Sequence, residues 1–122
     1  MATLDQIMDY LADYTTAEET TPSITSTTGT LDSAKIYKRG KEVTLKITAK
    51  PNSTTTVGGN MYVGQLNDSS LYPAIYAQTI GMYSQASIVI QMTETGMIVF
   101  RVSSGSVSSG NAVMGALHYM IA

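Results

Sequence analysis

The chain has 122 residues, of which 43% are hydrophobic and 13% charged, with a formal net charge of −2 and no cysteine. That length suits one modest domain with an appendage and excludes two ordinary domains. The absence of cysteine excludes disulfides and thiol chemistry, and the slight acidity is unlike the basic footprint of a nucleic-acid binder.

Sparse Leu, Ile, Val and Phe beside abundant Thr, Ser, Gly, Tyr and Met favour an all-β fold of strands and polar turns over a helical bundle. No stretch approaches the length that spans a bilayer, so no membrane insertion is expected, and the amino terminus has no basic n-region ahead of an apolar run.

Thr3 opens a capping-box pattern with Gln6 just ahead of an apolar periodic run, which predicts a helix over residues 3–14. Leu4, Ile7, Leu11 and Tyr14 follow the a/d spacing of a coiled coil, with Met8 beside the seam, while Asp5, Asp9 and Asp13 repel one another on the other face. A helix this short is marginal alone in water. It therefore needs a partner, either copies of itself, with Leu at a and Ile at d leaning to trimers or tetramers rather than dimers, or the head of its own subunit. Residues 1–14 are accordingly read as an oligomerising helix.

Residues 15–33 are rich in Thr and poor in apolar groups, and Pro22 forbids a continuing regular helix. They read as an extended, stiffened neck ahead of a head over residues 34–122.

From Ala34 the apolar period changes to two. Residues 35–39 and 42–49, joined at Gly40, read as a hairpin with one wet face carrying most of the basic residues. Residues 51–60 read as a polar loop, and strands are expected over 61–66, within 73–83, and over 86–92 and 97–103, the last two joined by a turn in which Gly96 supplies positive φ. A Ser/Gly loop over 104–110 then leads to a strand over 111–122. Several short strands between turn signals predict a small antiparallel β-sandwich or barrel. In the last strand Val113, Gly115, Leu117, Tyr119 and Ile121 share one face and Met114, Ala116, His118 and Met120 the other. Both faces are mainly apolar, so both are expected to be covered, the second by a neighbouring subunit or by the protomer itself if the strand is central.

The catalytic inventory is thin. His118 is the single histidine, and no Gly-x-Ser-x-Gly elbow, Cys-x-x-Cys or His-x-x-x-His occurs. Val57-Gly58-Gly59-Asn60 lacks the Lys and helix of a phosphate loop, and nothing fixes a separation between Asp68 and Glu94 that glycosidase chemistry would require. No enzyme activity, metal or other cofactor is expected. Tyr62, Tyr72, Tyr76 and Tyr83 gather mid-chain beside amides and hydroxyls. A Tyr ring offers an apolar face to a sugar's C–H surface and a polar handle to its hydroxyls, although Tyr also commonly fills strand positions. On this chemistry the candidate saccharide-binding residues are Asn67, Asp68, Tyr72, Tyr76 and Arg101, with His118 in addition. Arg101 is nominated because a guanidinium chelates phosphate or vicinal oxygens, against the alternative of a surface pair with Glu94 or Asp68.

Residues 34–122 also resemble the head domains of receptor-binding proteins from tailed phages and prophages of Gram-positive bacteria. Ile36-Tyr37-Lys38-Arg39-Gly40-Lys41-Glu42-Val43-Thr44-Leu45 is similar to the opening hairpin of that family, apolar-x-x-x-Gly-x-x-Val-x-Leu. Val63-Gly64-Gln65-Leu66 followed by Leu71-Tyr72-Pro73 resembles its Gly-x-Leu-Pro loop with a later Tyr-x-Pro, with Asn67-Asp68-Ser69-Ser70 in place of the first Pro. Glu94-Thr95-Gly96-Met97-Ile98 resembles its turn before the penultimate strand, and Gly115-Ala116-Leu117-His118-Tyr119-Met120-Ile121 its closing strand. The resemblance implies a homotrimeric β-sandwich head on a stalk at a tail tip or baseplate, made in the bacterial cytoplasm and working outside the host. Its partners would be further copies of itself, other tail or baseplate proteins, and a host cell-wall or surface polysaccharide. Saccharide contacts vary within the family, so the candidate residues rest on their own chemistry. The competing expectation is a passive structural tail-fibre, baseplate or capsid-decoration module with no ligand.

Overall fold

The computed structural model describes residues 18–122. Ten strands follow in chain order: β1 (Glu18–Thr20), β2 (Ile24–Thr28), β3 (Thr30–Arg39), β4 (Glu42–Lys50), β5 (Thr55–Thr56), β6 (Asn60–Leu66), β7 (Ala77–Gly81), β8 (Ala86–Met92), β9 (Met97–Val107) and β10 (Val113–Met120), with one 3-10 turn at Ser69–Leu71. They form two antiparallel sheets. The smaller has the order β1-β3-β4-β10; the larger has the order β2-β6-β9-β8-β7, with β5 paired to β9. The expected all-β sandwich is the observed architecture. The helix expected over 3–14 and its seam, Leu4, Ile7, Met8, Leu11 and Tyr14, lie outside the described residues.

Alternation explains the layers. On β4, Val43, Leu45, Ile47 and Ala49 are buried while Lys46 between them is exposed. Ile88, Ile90 and Met92 of β8 and Ile98, Phe100 and Val102 of β9 face them from the larger sheet. Tyr62 and Phe100 meet edge to face at 5.6 Å in this core, the geometry their ring quadrupoles favour. The Tyr62 ring lies against Gly64, where a Cβ would have no room.

The neck expectation is corrected for residues 18–33. β1 pairs with β3 and β2 pairs with β6, so this segment contributes a strand to each sheet, with Pro22 at the crossing between them. Thr-rich sequence with only Ile24 and Leu31 to pack on the core lacks the apolar alternation of a half-buried strand. β-branched Thr nevertheless suits an edge strand whose stability comes from its ladder and from bonds such as Thr27 Oγ1 to the Val63 carbonyl at 2.8 Å. The Ser/Gly loop expected from 104 is likewise shorter, because β9 continues to Val107 against β5 and β8.

β10 settles one of the two alternatives for its second face, which the described residues of the protomer do not cover. It stands at the end of the smaller sheet rather than at its centre, with Val113, Leu117 and Tyr119 buried but Met114 and Met120 51% and 50% exposed. Within the described residues one of its faces is covered.

Charge is divided unequally between the sheets. The strands of the smaller sheet carry Glu18, Glu19, Asp32, Lys35, Lys38, Arg39, Glu42, Lys46 and Lys50, whereas those of the larger sheet carry Arg101 alone. The basic hairpin of the sequence is thus a salt-bridged wet face, with Lys35 at 3.7 Å from Glu19, Lys50 at 3.3 Å from Asp32, and Lys46 over the Tyr37 ring at 5.0 Å. Exposed pairs of this kind contribute little to stability.

Candidate functional site

The two sheets approach each other along β7 and β10, and the seam between them is fastened at two points. At one end the Met82 N–H donates to the Met114 carbonyl at 2.7 Å; at the other the Ala74 N–H donates to the Met120 carbonyl at 2.8 Å, beside the Pro73–Ile121 bridge. No backbone hydrogen bond joins the two edges between these fastenings. A groove of about 370 Å³ opens there, lined by Ile75, Tyr76, Ala77, Gln78, His118, Tyr119 and Met120.

The strand geometry explains this juxtaposition. Counting antiparallel from the Met82–Met114 bridge sets Gln78 against His118 and Tyr76 against Met120. Even-numbered β10 residues point outward, so His118 and Met120 are presented at the groove while Leu117 and Tyr119 go to the core. Tyr76 is 45% exposed and its hydroxyl donates to Gln78 Oε1 at 3.3 Å, leaving the Gln78 amide hydrogens without a partner among the described residues. Thr44 Oγ1 lies 3.0 Å from His118 Nδ1. With that hydroxyl donating, the imidazole proton sits on Nε2 and is the ring's free donor. Ile75 and Met120 add apolar surface, 75% and 50% exposed. The groove therefore holds a ring face, aliphatic surface and uncharged donors, which suit a neutral polyhydroxylated molecule better than an anion.

Of the six candidates from sequence, the structure brings together Tyr76 and His118. The others are placed elsewhere, and their bonds state why. Asn67 donates from Nδ2 to Ser23 Oγ at 3.0 Å and to Thr25 Oγ1 at 3.1 Å, fastening β2 to the end of β6. Asp68 caps the 3-10 turn by accepting from the Ser70 hydroxyl at 2.6 Å and the Ser70 N–H at 3.0 Å, and these two bonds hold its carboxyl below the ordinary value. It borders a separate polar groove with Glu18 and Lys38.

Tyr72 is a structural residue. Its hydroxyl donates to the Leu66 carbonyl at 2.8 Å and accepts from Gln65 Nε2 at 3.2 Å, and its ring covers Gly96 so closely that a Cβ there would lie 2.3 Å from a ring carbon. Arg101 is exposed on the outer face of the larger sheet, two strands from β7, and its Nε donates to Asn60 Oδ1 at 3.3 Å. Neither Glu94 nor Asp68 is its partner.

Sequence reasoning missed Gln78, Ile75 and Met120. The pairing of two edges about forty residues apart is what assembles them, and no local pattern announces it. Among the described residues no group of three His, Cys, Asp or Glu could hold a metal ion, and no helix is long and apolar enough to cross a membrane. Compared with protein-family models and with curated proteins, the chain matches none.

Proposed function

We propose that this chain is the receptor-binding head of a phage-type tail protein, and that it adsorbs to its host by holding a neutral surface saccharide in the β7–β10 groove. The observation that carries the reading is the convergence of Tyr76, Gln78 and His118 in an uncharged, partly apolar groove. A pyranose offers one C–H face and a ring of hydroxyls, and this set matches both at low cost in side-chain entropy. The likeness of residues 36–45 and 115–121 to the opening hairpin and closing strand of Gram-positive phage heads supports the same reading. On this reading the chain works outside the cell, on a tail tip or baseplate.

The test is binding of the purified chain to an array of bacterial wall polysaccharides. Tyr76→Ala and His118→Ala should each weaken binding about five- to thirtyfold, since one well-placed ring or hydrogen bond is worth about 1–2 kcal/mol. Arg101→Ala and Lys46→Ala should leave it unchanged. Loss of binding in either of the last two with retention in the first two would put the site on a sheet face and overturn the assignment. Failure of the wild-type chain to bind any wall polysaccharide would favour the passive structural module.

A further inference from the structure

The outer face of the smaller sheet dips where its side chains are short. Register sets Ser33, Thr48 and Met114 in one row across β3, β4 and β10, and Lys35, Lys46 and Ala116 in the next. The Met82–Met114 bridge carries the first row on to Met82. Ser33, Thr48 and Ala116 form a low floor between the two lysines at one end and the two methionines at the other, which leaves a concavity of about 300 Å³. Sites for small molecules begin at about this volume.

Its two ends differ in chemistry. Lys35 and Lys46 are direct cross-strand neighbours, a like-charge pairing that a sheet disfavours. Lys35 is engaged: its Nζ donates to Thr21 Oγ1 at 2.8 Å and lies 3.7 Å from a Glu19 carboxylate oxygen. Lys46 pairs with no carboxylate among the described residues and rests over the Tyr37 ring at 5.0 Å. That position takes up the ring face, so no bare aromatic surface is offered for stacking. At the other end Met82 and Met114 are 70% and 51% exposed. Their side chains are unbranched and polarisable, and they adapt to an aliphatic body.

We propose that this concavity binds a medium-length aliphatic carboxylate, with the headgroup at Lys46 and Lys35 and the chain laid along Met114 and Met82. The anion relieves the repulsion between the two ammonium groups, and the chain covers thioether surface that otherwise faces water. From β3 to Met82 is three strand spacings, about 14 Å, which sets the length of chain that reaches both ends. This concavity and the β7–β10 groove share no lining residue. The proposal therefore stands or falls apart from saccharide binding.

The test uses the full-length chain carrying carbon-13 at its methionine methyls, titrated with decanoate, decanol and acetate and followed by NMR. Decanoate at millimolar concentration should shift the Met82 and Met114 methyl signals saturably and leave those of Met97 and Met120 in place. Decanol, which has the tail without the charge, should bind at least about fivefold more weakly, the upper value for an exposed charge pair. Acetate, which has the charge without the tail, should not saturate either signal. Lys46→Gln should weaken decanoate by about the same fivefold factor, whereas Arg101→Gln, which removes one positive charge from the other sheet, should leave it unchanged. Absence of a saturable shift at Met82 and Met114, decanol binding as well as decanoate, or undiminished affinity in a folded Lys46→Gln would each overturn the proposal. Should Lys46→Gln not fold, the comparison of decanoate with decanol and acetate decides alone.

Discussion

Replacing Tyr119 with Phe separates two contributions that one phenol makes to this fold. Tyr119 is 5% exposed, and its hydroxyl donates to the Leu71 carbonyl at 2.8 Å, tying β10 to the 3-10 turn. Burial pushes its pKa from 10.0 up to about 12, because a phenolate there would lose its water. Between about pH 10 and pH 12 the unfolded chain releases this proton and the folded chain keeps it. Stability is therefore complete below pH 10 and is lost as pH rises toward the folded value. At about pH 11 the loss amounts to roughly 1.4 kcal/mol, and above pH 12 it approaches about 2.7 kcal/mol. Near neutrality Tyr119→Phe removes the hydrogen bond and leaves a carbonyl unpaired, which costs about 1–2 kcal/mol. The variant escapes the alkaline loss. Urea unfolding across a pH series should thus find the wild type more stable at neutrality, the two curves crossing near pH 11, and the variant more stable beyond. Burial also raises the pKa of Tyr62, and because both proteins share that residue, the difference between the curves isolates Tyr119. Curves that stay parallel from neutrality to pH 12 would refute the linkage of this phenol to folding.

Gly96→Ala should destabilise by about 2–4 kcal/mol in the same urea assay, since Gly96 has φ +80° and the new methyl would strike the Tyr72 ring. Tyr72→Phe should cost about 0.5–1.5 kcal/mol by removing one bond to the Leu66 carbonyl, which keeps the Gln65 amide, and one from that amide, which keeps the Thr95 carbonyl, and should leave the proposed polysaccharide binding unchanged. A chain beginning at Glu18 should keep its β circular dichroism, whereas one beginning at Ala34 loses β1, β2 and the first part of β3 and should not fold.

The hairpin of β3 and β4 was legible because one face is wet, so Val43, Leu45 and Ile47 alternate with Thr44 and Lys46. β8 and β9 were legible from short apolar runs bounded by turns, and Gly96 from its turn chemistry. β1 and β2 were not, because what holds them is backbone pairing with strands far along the chain and Thr side chains that equally describe a linker. The site divides in the same way. Tyr76 and His118 carry the right chemistry, but the 41 positions between them in sequence hide their meeting across the seam. Tyr72 carries the same chemistry and is consumed by the fold, because its ring finds the bare backbone of Gly96 and its hydroxyl finds Leu66. Residue type identifies what a side chain is able to do, and long-range pairing decides whether it is free to do it.

The two fastenings of the seam also constrain how the protein is made. β10 pairs with β4, about seventy residues earlier, and reaches β7 through Met82–Met114 and Ala74–Met120. Synthesis delivers the amino-terminal strands first, and contacts of such sequence separation form slowly. Until residues 113–120 leave the ribosome, the inner faces of both sheets lack their last wall, and β4 and β7 present open edges to other nascent chains. The interval between emergence of β9 and docking of β10 is therefore the aggregation-prone stage of its biogenesis, and slowing translation just ahead of β10 should lower the soluble yield.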